Sequence, residues 1–262
     1  MENTRDEYCV FTEKETAIFN KIDTHFKDIA IQLGALEYSV PAMISKEVLE
    51  KCGYFSSFPQ QLTAAAFVQP DAYGKVAQKG VVVSDYMSVS DQYLTPAACL
   101  HVYPTLEDVD IDTKMITTKA RVYRYENEKF DGKIRLWDFT VREIVIAGTQ
   151  DFVLEKLSLI KEKSLDFCHE IGLTVKLIAA SDHFFPTKRN EIKQKLQISN
   201  SFKYELVVPV GATDVSIASF NFHGTHFSKP FHFDQKGTVL TSCVGYGLER
   251  WVSAIRHHNI SI

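Results

Sequence analysis

Residues 121–143, RVYRYENEKFDGKIRLWDFTVRE, constrain the fold more than any other stretch. Two runs rich in aromatic and β-branched residues flank a polar centre, the pattern of two antiparallel strands joined by a turn. Side chains alternate faces along a strand. In the first strand Val122, Arg124 and Glu126 therefore share a face, with Tyr123 and Tyr125 on the other. In the second, Arg135, Trp137, Phe139, Val141 and Glu143 share a face, and Ile134, Leu136 and Ile144 stand opposite. One face belongs to a core. The other is either a solvated surface of cross-strand ion pairs or a platform for a ligand.

Around this hairpin, helix-period and strand-period segments are segregated. TEKETAIFNKIDTHFKDIAIQLGA spaces Ile18, Ile22, Phe26, Ile29 and Leu33 as an amphipathic helix that Gly34 ends. EYSVPAMISKEVLEKCGYF reads as a short extended segment with Pro41, then a second helix running to Gly53. AAAFVQP, GVVVSDYMSVS and AACLHVYP read as strands, as do YELVVPV, DVSIASFNF and TVLTSCV further on. Residues 151–170 and 188–197 have helical spacing, and LERWVSAIRHHN puts Leu248, Trp251, Val252 and Ile255 on one helical stripe. With no βαβ units, repeats or low-complexity linkers, the expectation is a single α+β domain over residues 1–262, its sheet largely antiparallel and flanked by helices, with a helical insertion around 151–197.

The balance of 29 basic against 33 acidic residues, net charge -4, lacks the basic excess of a typical nucleic-acid binder. The N-terminus has no apolar leader and no segment reaches membrane-spanning length, so a cytoplasmic location is expected. Five widely spaced cysteines read as thiols, some of them open to metal binding, rather than as a disulfide framework.

Near the C-terminus, SCVGYGLERW sets two glycines directly before a helix and Arg250 in its first turn. That suits close approach of a phosphorylated ligand, or an ordinary strand-to-helix turn with a surface arginine. In chain order, however, three segments resemble the motifs of class II aminoacyl-tRNA synthetases: Pro41 in EYSVPAMISKEVLEKCGYF the first, VYRYEN with IRLWDFTVRE the second, and GYGLER the third. The resemblance covers about residues 15–258 of a seryl-tRNA synthetase catalytic core, with no room for the long N-terminal coiled-coil arm that grips tRNA. That truncated plan resembles the amino acid:[carrier protein] ligases, relatives of the atypical zinc-dependent seryl-tRNA synthetases that aminoacylate a phosphopantetheine thiol.

The resemblance implies a catalytic Zn²⁺ held by Cys99, Glu143 and Cys243, three ligands leaving a fourth position for the amino group of the substrate. Cys9, Cys52 and Cys168 are expected to be structural thiols. It further implies ATP binding by Arg124 at the α-phosphate, Glu126 at the adenine amino group, Phe139 stacked on the ring, Arg135, and Arg250 at the γ-phosphate. Mg²⁺ would bridge the phosphates, with Asp234 a possible ligand. Asn221, His223 and His226 stand as pocket groups or as satisfied core residues. Phe139 and Glu143 are four residues apart on one strand face, roughly 13 Å at about 3.3 Å per residue, the reach of an aminoacyl-adenylate. The implied partners are a small amino acid, ATP and an acidic phosphopantetheinylated carrier protein, with no tRNA and no membrane, in a homodimer formed around Pro41. Lys156, Lys161 and Lys163, or Lys188, Arg189, Lys193 and Lys195, would meet the carrier. Two rival readings are an RNA-charging relative of seryl-tRNA synthetase and a non-catalytic regulatory paralogue.

Overall fold

The computed structural model describes residues 10–125, 134–234 and 236–262, so Cys9 and Glu126 lie outside the described residues. The elements run α1 (Glu13–Gln32), β1 (Leu36–Tyr38), β2 (Met43–Ser45), α2 (Lys46–Lys51), α3 (Tyr54–Ser57), β3 (Ala64–Val68), α4 (Tyr73–Lys79), β4 (Met87–Leu94) and β5 (Thr113–Tyr123). They continue with β6 (Asp138–Gly148), α5 (Gln150–Glu170), β7 (Lys176–Ala179), α6 (Lys188–Ser199), β8 (Lys203–Val210), β9 (Thr213–Gly224), β10 (Leu240–Gly247) and α7 (Leu248–His257).

The hairpin predicted at 121–143 supplies β5 and β6, the second and third strands of a seven-stranded sheet of order β1-β5-β6-β10-β9-β8-β7, antiparallel throughout except where β1 lies parallel to β5. β2, β4 and β3 form a second, three-stranded antiparallel sheet. The α+β architecture is thus as the residue pattern requires.

Two apolar layers cover the large sheet. On one face α1, α5 and α7 bury Ile22, Phe26, Ile160, Trp251 and Ile255 against Ile144, Ile146, Val244 and Tyr246. Phe26 stacks on Tyr246 with ring centroids 3.6 Å apart, and all four residues of the predicted C-terminal stripe are buried. On the other face Ile116, Val145, Ala147 and Cys243 meet Leu49, Leu100, Tyr103, Phe231 and Phe233. The odd-numbered residues of β6 face this second layer, and where it thins out the cleft begins.

Three expectations are corrected. AACLHVYP is not a strand but two 3-10 turns, Ala98–His101 and Tyr103–Leu106, since a short buried apolar run satisfies either geometry and Pro104 favours the turn. GVVVSD is not part of a strand either: β4 starts at Met87, and Val81, Val82 and Val83 are exposed. Residues 134–137 precede the β6 ladder, so strict alternation fails there and Leu136 lines the cleft beside Arg135. Of the helices within 151–197, α5 packs Val153, Ile160 and Cys168 into the core on the face away from the cleft, whereas α6 carries cleft-lining side chains. Among the described residues no helix is long and apolar enough to cross a membrane.

Candidate active site

The site rests on strand pairing. β6 and β10 are antiparallel neighbours, with Gly245 opposite Glu143 and Cys243 opposite Val145, so Glu143 and Cys243 project diagonally from the same face. The 3-10 turn at Ala98–His101 lies over them, and its Ala98 and Cys99 N–H groups donate to the Glu143 carboxylate at 3.3 and 2.7 Å. Cys99, Glu143 and Cys243 are thereby brought together, 6%, 5% and 7% exposed.

Burial and the neighbouring Cys243 push the Glu143 carboxyl up to about 7, against the hydrogen bonds from Cys99 that favour its anion. The two thiols interact directly and divide in opposite directions. Hydrogen bonding to Cys243, then burial, holds Cys99 well above the ordinary thiol value. Hydrogen bonding from Cys99 outweighs burial at Cys243 and, with His223 close by, holds it well below. Of the two thiols, Cys243 is the one whose surroundings favour the anion. His223 Nε2 lies 3.5 Å and Asn221 Nδ2 3.6 Å from Cys243 Sγ, so both predicted pocket groups stand at the same end of the cleft. Burial, then His223 and Lys193, push neighbouring His226 down to about 4, and its Nε2 sits 3.3 Å from the Cys52 carbonyl. Burial alone pushes the Cys52 and Cys168 thiols up to about 12.

From this cluster a cleft of about 1120 Å³ runs along the sheet to the start of α7. Arg124, Arg135, Phe139 and Arg250 also line it, Arg124 close enough for its charge to act on Glu143. The Arg124 guanidinium lies 5.4 Å from the Phe139 ring centroid, and its Nε donates to the Pro96 carbonyl at 2.8 Å. Arg250 Nε and Nη1 donate to the carbonyls of Ile134 and Ser216, each at 3.1 Å, which aims the side chain across the cleft. Asp234 is elsewhere: it is absent from the cleft lining, and its carboxylate closes a turn by accepting from Thr238 N, Thr238 Oγ1 and Val239 N.

Several cleft groups escaped the sequence reading. Lys203 on β8 is 7% exposed and pairs with both Asp182 (2.7 Å) and Glu205 (3.1 Å), while Gln197 on α6 donates to Asp182 at 2.7 Å. Burial opposes ionisation of Asp182, but Lys203 and Gln197 hold it below the usual carboxylate range. Glu249 accepts from the Thr140 N–H at 2.7 Å and from Arg121 at 3.4 Å, tying the first turn of α7 to the Phe139 strand. The alternation Lys203, Glu205, Val207 on an otherwise apolar strand was the available signal.

A mostly antiparallel seven-stranded sheet, with a hairpin platform and a glycine-flanked helix presenting an arginine to the same cleft, is the catalytic-core fold of class II aminoacyl-tRNA synthetases. M. kandleri SerRS, solved with A. aeolicus tRNASec, superposes with a TM-score of 0.83 at 20% identity over 96% of this chain and 54% of that one. The P. horikoshii seryl-tRNA synthetase complexed with ATP gives 0.67 at 13% identity, over 95% of this chain and 52% of that one. No family model matches the sequence. Amino acid–[acyl-carrier-protein] ligase 1 of Bradyrhizobium diazoefficiens is 30% identical over 233 residues, 83% of this chain and 69% of the relative. Ligase 2 of the same organism is 28% identical over 83% of this chain and 68% of its own length. The chain belongs to this amino acid–[acyl-carrier-protein] ligase family. It is also 24% identical to the type-2 serine–tRNA ligase of Methanocaldococcus jannaschii, spanning 92% of this chain but about half, 51%, of that enzyme.

Proposed function

We propose that the chain activates a small amino acid with ATP and passes it to the phosphopantetheine thiol of a carrier protein. One observation carries the reading: Cys99, Glu143 and Cys243 line the same cleft as Phe139, Arg124 and Arg250. In the first step an oxygen of the amino acid carboxylate attacks the α-phosphorus of ATP, pyrophosphate leaves, and an aminoacyl-adenylate remains. Arg124 faces charge developing at the α-phosphate, Phe139 stacks on the adenine, Arg135 and Arg250 hold the β- and γ-phosphates, and Glu126 receives the adenine amino group. Magnesium would arrive on the ATP phosphates; the Asp234 carboxylate is engaged by its own turn. In the second step the carrier thiol attacks the acyl carbonyl and AMP leaves. Positioning and charge stabilisation do the work, and no protein nucleophile is needed.

Zinc fits the Cys99, Glu143, Cys243 set in kind, since two buried thiols, one already favouring its anion, beside a carboxylate are the donors this ion takes. Among the described residues no three such side chains stand at metal-binding spacing, and the Glu143 carboxylate accepts from the Ala98 and Cys99 amides. When bound, the ion supplies an open position for the substrate amino group.

The carrier would dock on α6, where exposed Lys188, Arg189 and Lys195 flank exposed Ile192 and Leu196 at the cleft rim. Lys156, Lys161 and Lys163 sit instead on α5, the core helix of the far face. The half-exposed Leu36 and Met43 beside Pro41 suit a two-fold interface, tested by solution mass. The reading is tested by amino-acid-dependent ATP–pyrophosphate exchange with neither carrier nor tRNA present. Exchange that depends on an amino acid, and that Arg250→Ala abolishes, supports it; a zinc-replete, folded sample with no exchange for any amino acid refutes it.

A further inference from the structure

Beyond the adenylate platform, the cleft has a wall that the reaction as described leaves unused. It starts at Cys243, passes to His223 at 3.5 Å, and continues through Phe227, whose ring lies 4.9 Å from His223 and 4.6 Å from His226. Facing it from α6, Lys193 reaches into the cleft and donates to Ser57 Oγ at 2.9 Å, its ammonium 5.6 Å from the Phe184 ring centroid.

The two cleft lysines of this region differ in one respect. Lys203 is shared by Asp182 and Glu205, so its charge is met inside the fold. Lys193 is half-buried, and among the described residues no carboxylate lies within ion-pair reach of it. A cation withdrawn from water without a counter-charge is costly, and a ligand that supplies the anion recovers that cost. In an aminoacyl-adenylate held as proposed, the amino group sits at the Cys99, Glu143, Cys243 end and the acyl carbon toward Arg124. The group left to face this wall is the amino acid side chain.

We infer that Lys193, with His223 and His226, forms a specificity subsite for a side-chain carboxylate, so that the small amino acid activated is acidic. The subsite rests on the ligase reading. A glycine or alanine would leave Lys193 without its counter-charge, whereas aspartate places a carboxylate one methylene from the α-carbon and glutamate two. A charge-assisted hydrogen bond of this kind discriminates by on the order of 10- to 100-fold.

The test is carrier-free ATP–pyrophosphate exchange with L-aspartate, L-glutamate, glycine, L-alanine and L-serine, together with calorimetric binding of aspartyl- and alanyl-sulfamoyl adenosine. An acidic amino acid should lead in kcat/KM by on the order of 10-fold or more, and the aspartyl analogue should bind more tightly by a similar factor. Lys193→Met should collapse that ratio in both measurements, and Lys193→Arg should restore most of it. Glycine, alanine or serine leading the panel would overturn the subsite while leaving the ligase reading intact. So would Lys193→Met affecting only the later transfer to a carrier, which would assign the lysine to the phosphate of the pantetheine arm. Exchange with no amino acid would remove the ligase reading and the subsite with it.

Discussion

Replacing Arg142 by methionine tests how the platform strand is anchored. Arg142 is 1% exposed and points to the helix-covered face, the reverse side from its neighbour Glu143. Its Nε donates to Asp23 of α1 at 2.7 Å, and its Nη1 to Glu37 of β1 at 3.1 Å. Lys119 pairs with Asp23 at 3.0 Å and Lys27 with Glu37 at 2.8 Å. Methionine fills most of the volume but leaves the Asp23 side chain, 9% exposed, with Lys119 as its one remaining cation. Breaking a buried pair from one side costs about 3–5 kcal/mol, whereas replacing both partners by apolar groups is often neutral. Arg142→Met should therefore lower the stability read from urea unfolding by about 3 kcal/mol, and adding Asp23→Leu should recover about 2 kcal/mol of it.

Acid gives an independent readout. Burial opposes ionisation of Asp23, but the hydrogen bonds and charges of Arg142 and Lys119 prevail and hold its carboxyl below the ordinary value of 3.8. Its contribution is complete above the unfolded value and is lost as pH falls from about 4 through the folded value. Wild type should lose this increment on acidification and the Arg142→Met, Asp23→Leu pair should not. A single variant that loses under about 1 kcal/mol, or a double variant no better than the single, would refute the buried-pair reasoning.

Three further outcomes follow from the geometry. Phe139→Ala should raise the KM for ATP in the exchange reaction about tenfold with a smaller change in kcat, the scale of one base–aromatic stack; an unchanged KM would place the adenine elsewhere. Cys243→Ala should abolish stoichiometric zinc measured by elemental analysis of the folded protein, and full zinc content in that variant would remove the metal assignment. At Gly148, φ is +157° and a Cβ would meet the Asp112 carbonyl oxygen at 2.9 Å, so Gly148→Ala should lower the urea midpoint by the equivalent of about 1–3 kcal/mol. A midpoint equal to wild type would show that the β6 end shifts freely.

The sheet was legible because its strands obey period two and its helices period 3.6, as in the stripe Leu248, Trp251, Val252, Ile255. It was not legible where burial is complete on all sides: AACLHVYP carries no periodicity, and its geometry is decided by Pro104 and by the need to cap Glu143 with two amides. Of the cleft, strand alternation places Phe139 and Glu143 on one face and the glycines before α7 point to Arg250, whereas Cys99 and Cys243 came only from the family resemblance. Lys193, Asp182 and Lys203 could not be found together. They come from separate elements that meet only when α6 folds over the sheet, a juxtaposition without a local signature. Asp234 shows the reverse case, an acidic residue near a motif whose carboxylate its own turn consumes.

The central claim is that the acyl group ends on a carrier thiol. Intact-mass spectrometry of a phosphopantetheinylated carrier, incubated with the protein, ATP and the amino acid that supports exchange, tests it most directly. The account predicts a mass gain of one aminoacyl group on the carrier, released by hydroxylamine and absent from the carrier lacking the prosthetic arm. An unmodified carrier, in a sample that charges tRNA with the same amino acid, would contradict it.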